Sequence, residues 1–138
     1  MKFIRLMAIM AIFLAAWGHV AQAGSTDPLF VNLTTDDNHK AIMAIAFATE
    51  QLKRGHPVTI YLNSQAVQIV HKASAKRYAM QQKKLTELAN RGGTILACPV
   101  CEKFLKLQEA DLIPGVKLSN ANLVSEALFR DNTKTLSW

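Results

Sequence analysis

The stretch Thr94-Ile95-Leu96-Ala97-Cys98-Pro99-Val100-Cys101-Glu102-Lys103 holds both cysteines of the chain, in Cys-x-x-Cys spacing. Its first four residues are brief, apolar and preceded by Gly92-Gly93, which predicts a buried strand over 94–97. Pro99 suits the first position of a helix, where its missing N–H is not needed. Cys98 then falls at the N-cap, facing the free N–H groups of the first turn. Hydrogen bonds from those donors and the positive end of the helix dipole stabilise a thiolate. Both lower the thiol pKa from its free value of about 8.5. Cys101, three residues on, shares the same side of that turn.

Working outward, residues 1–23 have the three-part layout of a secretory signal peptide. Lys2 and Arg5 make a positive start, residues 6–17 are apolar and uncharged, and Ala21-Gln22-Ala23 is an A-x-A cleavage signal. The apolar run is shorter than the roughly 20 residues that a membrane span needs. The expectation is export to the periplasm and no membrane association after signal removal. Of the 138 residues, the 115 in 24–138 are then one domain, long enough to bury a core. Removing Lys2 and Arg5 lowers the formal charge from +6 to +4, ordinary for a solvated surface. With no basic run carrying interleaved aromatics, nucleic acid is not expected as a partner.

Export bears on the cysteines, because a pair can oxidise in such a compartment. A Cys98–Cys101 bridge would close a loop of about four residues, for which chain entropy gives only ~2 kcal/mol. Such a bridge is a poor staple and makes more sense as chemistry.

Along the chain, Leu29 to Leu33 reads as a strand, and Thr34 to Asn38 supplies turn and capping residues. A helix is expected over 38–53, with Ile42, Met43, Ile45, Ala46, Phe47 and Leu52 on a broad buried face and Gly55 just past its end. Val58 to Leu62 is a second strand, and Asn63-Ser64 turns into a helical stretch with Ala66, Val67, Ile69 and Val70. Residues 72–84 begin as a loop and enter a helix carrying Leu85, Leu88 and Ala89. The helix after Cys98 is expected to reach about Leu107. Residues 116–118 form a short strand, Asn120 or Asn122 caps a helix with Leu123, Val124, Ala127 and Leu128, and residues 133–137 are a last strand.

Alternating strands and helices predict an α/β fold: a single-domain three-layer sandwich with a mainly parallel five-stranded sheet. Ligands of open α/β sheets bind outside the carboxyl ends of the strands. Thr34 to Asp37, Asn63-Ser64, Cys98 and Ser119-Asn120 all fall at that edge, and Thr34, Thr35, Asp36 and Asn63 are candidate cleft residues beside the cysteines.

Several blocks resemble the DsrE/DsrF-like family. They are Leu29 to Asp36, Leu52 to Ile60, Cys98-Pro99-Val100-Cys101-Glu102-Lys103, Asp111-Leu112-Ile113-Pro114-Gly115-Val116 and the ending Leu136-Ser137-Trp138. The cysteine and Leu-Ile-Pro-Gly-Val blocks are the most specific. The resemblance implies a five-stranded, mainly parallel sheet and homo-oligomers. It also implies a cysteine after a central strand that accepts a persulfide and passes sulfur between donor and acceptor proteins. Cys98 occupies that place. On this reading the chain is a sulfurtransferase or thiol-redox carrier, with Cys98 as nucleophile, Cys101 as resolving partner and no cofactor.

Other readings stand beside it. Free cysteine is often a small core residue. A binding module is the alternative function: two thiolates suit a soft ion such as Cu(I), although zinc sites of this kind usually need a second ligand pair. His39, His56 and His71 are scattered without ligand spacing, and Glu102 stands where haem attachment needs histidine. Asp36 and Asp37 are general acid–base candidates or helix caps, and His39 is a proton shuttle or a solvated residue. Lys103 adds positive charge to the turn or is simply solvated. Phe30, Phe47, Tyr61 and Phe104 read as core. Trp138 packs at a subunit interface or against the end of the sheet.

Overall fold

A computed structural model describes residues 24–138; the expected signal peptide lies outside the described residues. Strand β1 (Leu29–Leu33) leads to helix α1 (Asn38–Lys53), then β2 (Val58–Leu62). A 3-10 segment (Ser64–Val70) and a shorter one (Lys72–Ser74) precede α2 (Ala75–Asn90) and β3 (Thr94–Ala97). Then come α3 (Pro99–Phe104), β4 (Val116–Leu118), α4 (Ala121–Leu128) and β5 (Lys134–Ser137). The five strands lie in the order β4-β3-β2-β1-β5. Every pairing is parallel, so the sheet expected to be mainly parallel is wholly so.

The layers follow from alternation. Leu29, Val31 and Leu33 of β1, Val58, Ile60 and Leu62 of β2, and Ile95 and Ala97 of β3 point to one face. There they pack with Ala41, Ala44, Ile45 and Ala48 of α1 and Tyr78, Leu85 and Leu88 of α2. Alanines on α1 let that helix lie close to the strands, so Met43 and Phe47 stay exposed rather than filling the expected face. The opposite face carries α4 beside Thr59, Thr94 and Leu96, and no α4 side chain is buried.

Local chemistry sets the element ends. Asp37 caps α1 by accepting from the Lys40 N–H at 2.8 Å. That backbone donor is the main reason its carboxyl sits below the usual range. Asp36 is not a cap; its carboxylate accepts from the Tyr78 hydroxyl at 2.7 Å and meets Arg77 at 3.2 Å. Burial, reinforced by this bond, pushes the Tyr78 hydroxyl up to about 12. Both long helices end in paired bonds of the Schellman type. In α1, Gly55 N–H donates to the Leu52 carbonyl and His56 N–H to that of Gln51. In α2, Gly92 and Gly93 do the same to Ala89 and Leu88. Gly92 adopts φ +92°, which favours glycine.

The helical stretch expected after Asn63 is a 3-10 segment, and Ala66, Val67, Ile69 and Val70 are all buried as expected. Two expectations are corrected. Helix α3 stops at Phe104, short of Leu107. Of the aromatic residues read as core, only Phe30 is buried: Phe104 is 83% exposed, Phe47 is 40% exposed and Tyr61 is half-buried. Trp138 closes the sheet end, its carbonyl accepting from Thr34 N–H and hydroxyl and its ring 5.9 Å from that of Phe47.

A Cβ added at Gly93 would stand 2.0 Å from Leu88 Cδ2 and 3.0 Å from the Leu88 carbonyl. Leu88 is fully buried, so it has nowhere to retreat. Gly93→Ala is expected to lose ~1–3 kcal/mol of stability, the usual cost of overpacking, read as a lower urea midpoint.

Candidate functional site

Parallel register levels the strand ends. Leu33, Leu62, Ala97 and Leu118 are consecutive partners across β1, β2, β3 and β4. The next residues, Thr34, Asn63, Cys98 and Ser119, therefore form one row along the carboxyl edge. The ladder continues into that row: Asn63 N–H donates to the Leu33 carbonyl, Cys98 N–H to that of Leu62 and Ser119 N–H to that of Ala97.

Cys98 is the N-cap of α3, in extended conformation, with Pro99 at the first helical position. Its Sγ accepts from Cys101 N–H at 3.4 Å and faces the Cys101 Sγ at 2.8 Å, with both thiols free. Burial is the largest single influence on Cys98 and opposes ionisation. Four donors together outweigh it and lower its pKa: the Cys101 thiol, the Tyr61 hydroxyl and the backbone N–H groups of Cys101 and Val100. Cys101 goes the other way. Burial and its bond to Cys98 raise its pKa, with the Ser64 N–H acting against them from 3.2 Å. One thiol of the pair is thus disposed to be the anion and the other to carry the shared proton.

Tyr61 was read as core, yet its ring edge belongs to this site. Burial, then the neighbouring Cys98, hold its hydroxyl protonated well above the usual tyrosine value. It therefore stays a neutral O–H beside Cys98. The Ser119 hydroxyl is buried without a hydrogen bond of ordinary geometry, although it lies close enough to favour ionisation of Tyr61. Period-2 alternation was the signal for Tyr61: Val58, Ile60 and Leu62 face the core, so Tyr61 shares the other face with Asn63. Ser64, placed at this edge by the sequence, gave no sign of its backbone conformation. It adopts φ +51°, a left-handed conformation that aims its N–H at Cys101 and that a serine adopts only under constraint.

The remaining cleft candidates point elsewhere. Thr34 bonds Trp138, Thr35 accepts from Asp37 N–H, and Asp36 is held by Tyr78 and Arg77. Asn63 bonds the Asn32 side chain, one strand away from Cys98. His39 and Lys103 are exposed. Among the described residues, no three His, Cys, Asp or Glu side chains converge on a point that would hold a metal ion. No described helix is long and apolar enough to cross a membrane. An apolar cleft of about 220 Å³ lined by Pro28, Leu29, Phe47, His56 and Leu136 sits by the amino ends of β1 and β5, away from the thiols. The thiols lie in the shallow row at the other end.

With the fold and this edge defined, the comparisons place the chain. The sequence model of the DsrE/DsrF-like family matches residues 29–133, and the chain belongs to that family. Among curated proteins none matches it significantly. Three solved structures share the fold. A protein of unknown function from Methanobacterium thermoautotrophicum is 14% identical, with TM-score 0.67, covering 81% of this chain and 99% of that one. The ychN protein from E. coli is 12% identical, with TM-score 0.65 and coverage of 82% and 99%. A conserved protein of unknown function from Bacteroides thetaiotaomicron is 21% identical, with TM-score 0.62 and coverage of 81% and 95%.

Alkylation rate follows thiolate fraction. For Cys98 the pH midpoint is expected below that of free cysteine, and for Cys101 above it, so iodoacetamide at neutral pH should label Cys98 first. Tyr61→Phe removes one donor and should move the Cys98 midpoint upward. Mass spectrometry of tryptic peptides across a pH series checks both.

Proposed function

We propose that this DsrE/DsrF-like protein handles sulfur in the periplasm, with Cys98 as the persulfide-carrying nucleophile and Cys101 as its resolving partner. The observation that carries the reading is the environment of the Cys98 sulfur: buried, yet accepting from the Cys101 N–H at 3.4 Å and 2.8 Å from a second thiol. A buried sulfur that only filled space would not need such donors.

The chemistry balances without a cofactor. The Cys98 thiolate attacks the outer sulfur of a donor persulfide, R–S–SH, and the donor leaves as R–S⁻. Cys98 then carries S–SH. An acceptor thiolate can attack that outer sulfur and regenerate the Cys98 thiolate. Alternatively Cys101, once deprotonated, attacks the inner sulfur of the Cys98 persulfide. That step expels hydrosulfide, oxidises the two cysteines to a disulfide and reduces the outer sulfur. Resetting the disulfide then takes a dithiol reductant. The raised pKa of Cys101 supports this division of labour, since a protonated neighbour spares the persulfide until an acceptor arrives.

The exposure of the turn beside the thiols supports a macromolecular donor or acceptor. Val100 is 74% exposed on the turn beside Cys101. Assembly into a homo-oligomer belongs to the same proposal. What supports it is α4, amphipathic in sequence yet burying no side chain, followed by an exposed Phe129.

The test is incubation of the reduced protein with a low-molecular-weight persulfide and intact-mass analysis. The expected product gains one sulfur, on Cys98. Cys98→Ser should lose it, whereas Cys101→Ser should keep it and release hydrosulfide at least ~10-fold more slowly, since the internal attack is gone. Sulfur retained by Cys98→Ser, or a soft metal ion held in its place, overturns the assignment.

A further inference from the structure

Helix α3 inverts the usual logic of a docked helix. It is six residues long, and its one buried side chain is Glu102. Val100, Lys103 and Phe104 all face outward. No apolar stripe holds this turn against the protein. What holds it is the Glu102 carboxylate, whose two oxygens accept from His71 Nε2 at 3.0 and 2.9 Å. The His71 and Glu102 side chains are only 2% and 4% exposed.

His71 is itself fixed. Its backbone N–H donates to the Gln68 carbonyl, and its carbonyl accepts from the Gln82 side chain at 2.7 Å. It also forms an isolated bridge with Leu112. The same Gln82 amide donates to the Ile69 carbonyl. A line of buried polar contacts thus runs from α2 through Gln82 and His71 to Glu102. A carboxylate acceptor requires a proton on His71 Nε2. The other ring nitrogen, Nδ1, is buried without a partner among the described residues. That unmet group is a cost the fold retains. It is unexpected if the histidine only filled space, since an apolar residue would do that without the penalty.

Two contacts on the Cys98 sulfur belong to this turn: the Cys101 N–H at 3.4 Å and the Cys101 thiol at 2.8 Å. Both move with Glu102, the residue after Cys101, whose own N–H bonds the Cys98 carbonyl at 3.0 Å. We propose that His71 and Glu102 are positioning residues for the thiol pair, locking the turn so that its donors converge on Cys98 and Cys101 stays within reach. Neither touches a reacting sulfur. The inference deepens the reading of Cys98 as nucleophile and rests on it.

Two near-isosteric variants, His71→Gln and Glu102→Gln, test the inference alongside the native chain. Folding is checked by circular dichroism. In each folded variant the alkylation rate of Cys98 at neutral pH should fall ~10-fold, about one unit of thiol pKa. The Cys98–Cys101 reduction potential in a glutathione series should shift as well. The double variant should show no more than the larger single effect, because the two residues act as one unit. Folded variants with native rates and potential overturn the inference.

If neither variant folds, the native chain still decides. Coupling between two sites is reciprocal, so oxidising Cys98–Cys101 should shift the ring ¹⁵N signals of His71, and unchanged signals overturn the proposal. A native Cys98 that alkylates like free cysteine refutes the nucleophile assignment instead. The two failures are thereby told apart.

Discussion

A sulfur at the buried end of a strand experiences two opposed forces. Removing it from water favours the neutral thiol, while every N–H or O–H aimed at it favours the anion. At Cys98 the second force prevails, because the chain changes from strand to helix at that residue. The strand spends its own N–H on the Leu62 carbonyl. The helix start presents N–H groups that have no carbonyl four residues back to receive them. A serine or aspartate usually meets that need; here a thiolate does. The same junction therefore completes a fold requirement and lowers the pKa of a thiol.

The surrounding edge is built by register more than by packing. Because β1 to β4 end level, four residues line up in one row, and the polar face of β2 delivers Tyr61 just beneath it. Tyr61 and Cys98 perturb each other in opposite directions: the anion raises the phenol, and the phenol lowers the thiol. The apolar mass of the protein lies on the other face, against α1 and α2. Stability and chemistry are thus separated by the sheet, and the strained Ser64 sits on the chemical side.

The sheet's two faces also differ in how completely they are covered. Alanines on α1 allow a close fit over β1 and β2, whereas α4 rests on its face without burying a residue. A surface left in that state favours association, consistent with the assembly proposed for this member of the DsrE/DsrF-like family.

The amino-acid sequence by itself determined most of the elements and the place of Cys98 at a helix start. Short apolar and β-branched runs marked the strands, Gly55 and Gly92 marked the helix ends, and Pro99 after Cys98 marked the cap, all of them local signals carried by neighbouring residues. Those signals act over a few positions, which is the range in which backbone sterics and capping operate. Only the tertiary structure decided what surrounds the sulfur. Tyr61 lies 37 residues before Cys98 and Ser64 lies 37 before Cys101, and His71 meets Glu102 across 31. No local pattern joins residues so far apart; parallel pairing of β2 with β3 does, by placing the ends of two distant segments side by side. Histidines that look scattered along the chain can therefore be partners in space, and a carboxylate next to a cysteine can be the anchor of its helix.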